Sequence, residues 1–129
     1  MFDHIGIFVS DPALSHPLYE ACLAPLGIRV VQRQHELNAM VLGGEADSPF
    51  LWVGSASGEY YGTSLRPDLH RPFHLAFRAP SREAVDAFHA KALELGGRDN
   101  GAPNMQSPGY YAAFVLDPDG NNIEAGYRE

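Results

Sequence analysis

Hydrophobic and polar positions alternate along residues 4–9, placing His4, Gly6 and Phe8 on one face and Ile5, Ile7 and Val9 on the other. That period of two is the signature of a strand with one covered side. Ser10-Asp11-Pro12 follows as a turn and helix entry. The period then lengthens, with Leu14, Leu18, Cys22 and Leu26 on one helical face and Tyr19 and Leu23 beside it. Proline is tolerated in a first helical turn but breaks an interior, so Pro17 predicts a regular helix beginning near Ser15. Pro25 and Gly27 end it. Further strands are predicted over 28–34, 37–43 and 49–53.

Residues 54–71 are rich in Gly, Ser and Tyr and read as a long loop, a kind of segment that is often functional in a small domain. Patterning resumes with a strand over 73–79 that contains His74. Ser81 is a helix N-cap with Glu83 in the first turn, and Val85, Phe88, Ala92 and Leu95 form the apolar stripe. Gly96-Gly97 is the stop signal. A second loop is expected over 101–109 and a strand over 110–116. Asp117-Pro118-Asp119-Gly120 is a turn: Pro118 presets φ at the first central position, and Gly120 takes the positive φ that costs other residues. The strand that returns from it carries Glu124 on the face opposite Ile123 and Ala125. A carboxylate on the inner face of a sheet needs a partner, because burying it alone is very costly.

The chain says the same thing twice. His4-Ile-Gly-Ile-Phe-Val-Ser and His74-Leu-Ala-Phe-Arg-Ala-Pro, 70 residues apart, each open on His and feed a helix that ends in Gly before short strands. An internal repeat of two β-α-β-β-β modules, about 1–56 and 72–129, defines a single α+β domain of 129 residues.

Composition narrows the partners more than the fold. Apolar residues at 45% and charged residues at 19% belong to a globular chain. A formal charge of −7 argues against nucleic acid or an anionic membrane as partner. No apolar run reaches the roughly 20 residues of a membrane span, and the first residues lack a basic start and cleavage site. Cys22, the single cysteine, excludes an intrachain disulfide and fits a cytoplasmic location. It belongs to the buried face of the first helix, where a thiol is inert.

His4, His74 and Glu124 fall at or near strand ends in paired modules. Two imidazoles and a carboxylate are the ligand types a divalent metal takes, with coordination positions left open. A lone strand histidine is more often structural, and Glu124 alone could be an arginine's partner; the repeat is expected to bring the two histidines together in space. Among the other candidates, Tyr111 is the one assigned to a substrate cleft as a catalytic residue, ahead of Tyr60, Tyr61 and Tyr110, whose plainer role is packing with the hydroxyl at the rim. Arg66, Arg71 and Arg78 read as solvated. His16, His35 and His89 have the neighbours of exposed positions, Trp52 reads as a cup wall, and Asn121 and Asn122 read as turn residues.

Asp3-His4-Ile5-Gly6-Ile7, Phe73-His74-Leu75-Ala76-Phe77 and Asp117-Pro118-Asp119-Gly120-Asn121-Asn122-Ile123-Glu124, together with Leu23-Ala24-Pro25-Leu26-Gly27, resemble the motifs of the vicinal oxygen chelate superfamily. That group contains glyoxalase I, extradiol dioxygenases, methylmalonyl-CoA epimerase and the bleomycin and fosfomycin resistance proteins. The resemblance implies a cupped, eight-stranded mixed sheet around a metal, with His4, His74 and Glu124 as ligands and Fe, Zn, Ni or Mn as the ion. It also implies a homodimer, with the site either within one chain or shared so that His4 of one chain meets His74 and Glu124 of another. Departures from the pattern matter for function. Glyoxalase I has a fourth ligand, Glu or Gln, on the strand that here reads Phe50-Leu51-Trp52-Val53. Gly6 stands where the fosfomycin-modifying members have Thr. The expected chemistry is metal chelation of a small-molecule substrate by a lyase, isomerase or extradiol-type dioxygenase. The alternatives are a protein that sequesters a small hydrophobic compound without catalysis, and a dimeric scaffold.

Overall fold

The computed structural model describes residues 3–44, 49–55 and 74–129. Tyr60, Tyr61, Arg66, His70 and Arg71 lie outside the described residues, as does nearly all of the predicted 54–71 loop. The first module runs β1 (His4–Val9), α1 (Pro12–Leu23), β2 (Arg29–Gln34), β3 (Ala39–Gly43) and β4 (Phe50–Ser55). The second runs β5 (His74–Arg78), α2 (Arg82–Glu94), β6 (Arg98–Ser107), β7 (Tyr110–Leu116) and β8 (Asn122–Arg128). The α+β class and the tandem β-α-β-β-β order are those expected from the sequence.

Each module builds its own four-stranded sheet, in the orders β1-β4-β3-β2 and β5-β8-β7-β6. In both, the first strand pairs parallel with the last and the remaining ladders are antiparallel. The eight strands are therefore shared between two sheets that a common helical layer joins. α1 and α2 pack on each other, and each covers the apolar face of its own sheet. Ile7, Val9, Leu18, Tyr19, Leu23, Met40 and Val53 from the first module form one buried cluster with Val85, Phe88, Val115, Ile123 and Ala125 from the second. The opposite faces, which carry His4 and His74, point away from this core.

Three local expectations are corrected. α1 begins at Pro12 and not at Ser15: Asp11 caps it by accepting from the Ala13 N–H at 3.0 Å, and Pro12 occupies the first position, where no donor is needed. Pro17 lies inside the helix, and both Pro17 and Ala13, whose carbonyl loses its donor, are exposed, so water can serve that carbonyl. Leu14 is 56% exposed; the buried stripe runs through Ser15, Leu18, Tyr19, Cys22 and Leu23. Residues 101–109 are mostly strand. β6 is an edge strand with three register shifts against β7, which tolerates Gly101 and Pro103 and erases the alternation a sequence reader looks for.

The Asp117-Pro118-Asp119-Gly120 turn forms as expected, with Gly120 at φ +85° and its N–H on the Asp117 carbonyl at 2.9 Å. It also joins the modules. The Asp117 carboxylate is fully buried and accepts from the Asp119 and Asn121 backbone N–H groups (2.9 and 2.8 Å), the Asn121 amide (2.8 Å) and the Tyr19 hydroxyl of α1 (2.8 Å). Asp119 accepts from the Ser10 N–H, at the end of β1, at 3.1 Å. Asn121 is a turn residue as read, whereas Asn122 opens β8 and accepts from the Asn100 amide at 3.2 Å.

Candidate metal centre and ligand cup

In the second module β5 and β8 run parallel with Ala76 opposite Glu124 and His74 opposite Asn122. In β7, Phe114 lies opposite Glu124 and Tyr110 opposite Arg128. Directly opposed residues share a face, so His74, Glu124, Tyr110 and Arg128 emerge together on the side away from the helices. His74 Nε2 stands 3.2 Å from Glu124 Oε2. The Tyr110 hydroxyl donates to the other carboxylate oxygen, Oε1. The Arg128 guanidinium covers the Tyr110 ring at 4.1 Å. Burial pushes the Tyr110 hydroxyl up to about 12, and its bond to Glu124 adds to the effect. Gly126 makes room for this ring, because a Cβ there would come within 2.1 Å of the Tyr110 oxygen.

Glu124 is 4% exposed and so has one oxygen held by a neutral donor and one turned to an imidazole. Two ligands at right angles on one divalent ion, each bonded at about 2.1 Å, are separated by about 3 Å. The His74–Glu124 spacing therefore suits either an ion pair or two neighbouring ligands of a metal. The donor set, a nitrogen and an anionic oxygen, fits such an ion.

His4 is not part of this cluster. Among the described residues no group of three His, Cys, Asp or Glu side chains converges within one chain. His4 Nδ1 is 2.5 Å from Asp3 Oδ1, and its ring stacks on Phe50 with centroids 4.8 Å apart and planes 8° from parallel. Asp3 engages Nδ1 and leaves Nε2 as the nitrogen that can coordinate, the arrangement that outer carboxylates impose on metal-binding histidines. His4 lines a cavity of about 700 Å³ on the open face of the first sheet, with Gly6, Gln32, Gln34, Leu37, Val41, Phe50 and Trp52. Trp52 is a wall of this cup, as its sequence context indicated.

Tyr111 takes a different place from the one the sequence suggested. It lies one residue out of phase with Tyr110, faces the helical layer, and donates to Asp86 of α2 at 2.8 Å under the Arg82 guanidinium. The tyrosine at Glu124 is Tyr110, and strand parity counted back from the turn would have found it. His16 and His89 are not free surface groups. His16 Nε2 meets the Val53 carbonyl at 3.1 Å, and burial holds its pKa below the usual histidine value. His89 Nε2 meets Asp99 at 2.9 Å, and that bond holds the Asp99 carboxyl below the usual range. His35 and Arg78 are exposed. Cys22 is buried, and desolvation raises its thiol to about 12, so it is inert as read.

Two sheets of identical topology, each opening on a histidine and each backed by one helix, define an α+β protein built around paired concave faces. The chain belongs to the Glyoxalase/Bleomycin resistance protein/Dioxygenase superfamily, whose model matches residues 1–125. It is similar in structure to a glyoxalase/bleomycin resistance protein from Albidiferax ferrireducens T118, at 28% identity and TM-score 0.76, over 100% of this chain and 99% of that one. A putative glyoxalase from Bacillus halodurans shares the fold at 24% identity and TM-score 0.74, over 98% and 95% of the two chains. A lactoylglutathione lyase from Agrobacterium tumefaciens does so at 15% identity and TM-score 0.66, over 98% and 92%. No curated protein sequence matches the chain. Among the described residues, no helix is long and apolar enough to cross a membrane.

Proposed function

We propose that the chain is a metal-dependent small-molecule enzyme, a lyase, isomerase or dioxygenase, whose site is completed between two copies. His74 and Glu124 of one copy and His4 of another hold one divalent ion, and the cup beside His4 receives the substrate. The observation that carries this reading is the 3.2 Å approach of His74 Nε2 to Glu124 Oε2, with Tyr110 occupying the other oxygen. The absence of His4 from that pair within one chain supports the two-copy arrangement.

A divalent ion bound there supplies Lewis acidity toward a substrate oxygen. The residues do the rest. Tyr110 keeps Glu124 Oε1 engaged so that Oε2 is presented alone. Asp3 and Phe50 fix the plane of the His4 ring. The apolar walls of the cup exclude water from the reacting face, where charge is more strongly felt. Iron, zinc, nickel and manganese all accept two histidines and a carboxylate, so the donor set leaves the ion's identity open. The cup's apolar lining favours one alternative, a sequestering protein that binds its compound without catalysis.

The test is metal stoichiometry in the full chain after reconstitution with Fe(II), Zn(II), Ni(II) or Mn(II). One ion per chain is expected, lost in His4→Ala, His74→Ala and Glu124→Gln. Mixed dimers of the His4→Ala and His74→Ala chains should recover one ion per dimer, because one of the two composite sites is then intact. Stoichiometry unchanged in His4→Ala, or no ion taken up by the unsubstituted chain, would refute the reading. Turnover that survives complete removal of the ion would refute metal dependence, whereas no turnover with a ligand still held after the ion is removed would favour sequestration.

A further inference from the structure

On β8, Glu124, Gly126 and Arg128 follow one another on the open face of the second sheet, and Arg78 of β5 stands directly opposite Gly126. His74, Ala76 and Arg78 are exposed while Leu75 and Phe77 between them are half-buried, so β5 turns the same face outward. Arg78 is thus two residues, about 7 Å, along β5 from the row that holds Glu124, with Arg128 its diagonal neighbour on β8. Tyr110 fills the space that Gly126 leaves: it starts opposite Arg128 and ends with its hydroxyl on Glu124. The Arg128 guanidinium rests on that ring, with Cζ 4.1 Å from the centroid. A guanidinium this close stacks by its face and keeps its N–H fork along the edge for other partners. Arg128 is exposed, so that fork meets solvent. Its charge is felt at the Tyr110 hydroxyl, where it opposes the upward push of burial on the pKa.

We propose that Arg78 and Arg128 form a carboxylate clamp at the lip of the second concave face, so that the substrate is a small organic acid. An oxygen at one end of it meets the ion at His74 and Glu124, and the carboxylate at the other end meets the two guanidiniums. A carboxylate matches the guanidinium fork in plane and spacing and accepts two N–H bonds from it, while a second guanidinium serves the outer lone pairs. Tyr110 lies between Glu124 and Arg128, so the two ends of the acid are spaced by about the length of its phenol ring. Anchoring the far end orients the reacting end at the ion. The inference rests on reading His74 and Glu124 as metal ligands and names the class of substrate that site takes. Simple solvation, the role the sequence suggests for Arg78, is the alternative that the experiment separates.

The full chain, loaded with zinc, is titrated by calorimetry with succinic monohydroxamate, whose hydroxamate meets the ion and leaves the carboxylate free, and with its methyl ester. The acid should bind about tenfold more tightly than the ester. Arg78→Gln and Arg128→Gln should each reduce that ratio to about threefold, and the double variant should abolish it, with zinc stoichiometry unchanged. Lys91→Gln, which removes a charge from α2 behind the sheet, should leave the ratio at about tenfold. A second arm needs no ion. In the metal-free chain succinamate, which has the carboxylate without the hydroxamate, should shift the Nε–H resonances of both arginines at millimolar concentration, and sodium chloride at equal ionic strength should not. Equal affinity for acid and ester, a ratio that survives in the double variant, or arginine resonances that succinamate does not move would overturn the clamp. Zinc uptake with any of these outcomes sinks the clamp alone. A chain that takes up no zinc, but whose arginine resonances respond to succinamate, sinks the proposed enzyme alone.

Discussion

Replacing Asp117 by Ala removes a side chain that ties the last hairpin to the first helix. Its carboxylate is fully buried and receives four donors at 2.8–2.9 Å. Not all four losses cost the same. The Asp119 and Asn121 N–H groups lie at a partly exposed turn, where water can replace the carboxylate. The Tyr19 hydroxyl has no such recourse, since Tyr19 is completely buried and burial, reinforced by Asp117, holds its proton in place. An orphaned buried donor costs about 1–3 kcal/mol, and hydrogen bonds to a charged group contribute about 1.5–3 kcal/mol each before water replaces them. Asp117→Ala should therefore destabilise the fold by about 3–5 kcal/mol, a large share of a typical stability of about 5–15 kcal/mol.

Tyr19→Phe separates these contributions. Alone it leaves Asp117 with three donors and should cost about 1–2 kcal/mol. In the double variant no hydroxyl is orphaned, so the total should fall short of the sum by about 1–2 kcal/mol. Urea unfolding followed by far-ultraviolet circular dichroism, at fixed protein concentration and with the slope checked for constancy, measures all three. Strict additivity within about 0.3 kcal/mol would mean that Tyr19 and Asp117 do not share the interaction described, and the account of the clasp would be wrong.

Three further outcomes follow from the site. Tyr110→Phe frees Glu124 Oε1 and should weaken zinc binding about 10- to 100-fold, read by competition with a chromophoric chelator, with circular dichroism unchanged. Gly126→Ala should cost about 1–3 kcal/mol by overpacking against the Tyr110 ring, and Tyr110→Ala in the same chain should relieve most of the loss in urea denaturation. Desolvation is the chief cause holding the His16 pKa below the ordinary histidine value of about 6.5, so below pH 6.5 the unfolded chain takes up its proton first. Its contribution is full above pH 6.5 and declines as pH falls toward the lower, folded pKa; urea midpoints measured across that window should fall more steeply for the unsubstituted chain than for His16→Gln.

What the sequence disclosed depended on how regular each element was. The β1 alternation, the Ser81 cap and the 117–120 turn are local patterns, and each occurs where its residues placed it. The start of α1 is not legible at Pro17, because the cost of a missing donor depends on exposure, which only packing decides. β6 escaped notice because an edge strand with bulges has no reason to alternate. Strand parity distinguishes Tyr110 from Tyr111: with the turn fixed, Phe114 opposes Glu124, and every second residue back from it shares that face. The approach of His74 to Glu124 was legible through the resemblance of their two strands to known ligand motifs, whereas the repeat related His74 to His4, which does not join it within one chain. The position of His4 was not, because a strand pattern gives the face of a residue and not which neighbouring sheet it meets.

The ladders also reveal how far the two modules have diverged in use. Counting from each opening histidine, Gly6 pairs with Trp52 as Ala76 pairs with Glu124. Trp52 thus occupies in the first sheet the place that Glu124 occupies in the second. The glycines two residues on, Gly54 and Gly126, each make room for an aromatic ring, the indole of Trp52 in one case and the phenol of Tyr110 in the other. In one module the ring forms the wall of a cup, and in the other it holds a carboxylate. An indole cannot coordinate a metal, and a buried carboxylate is a poor wall for an apolar ligand. The repeat has therefore kept its backbone while assigning the anionic donor to one concave face and the apolar surface to the other. A site needing both must bring one face of each kind together, which two copies related by a twofold axis accomplish twice.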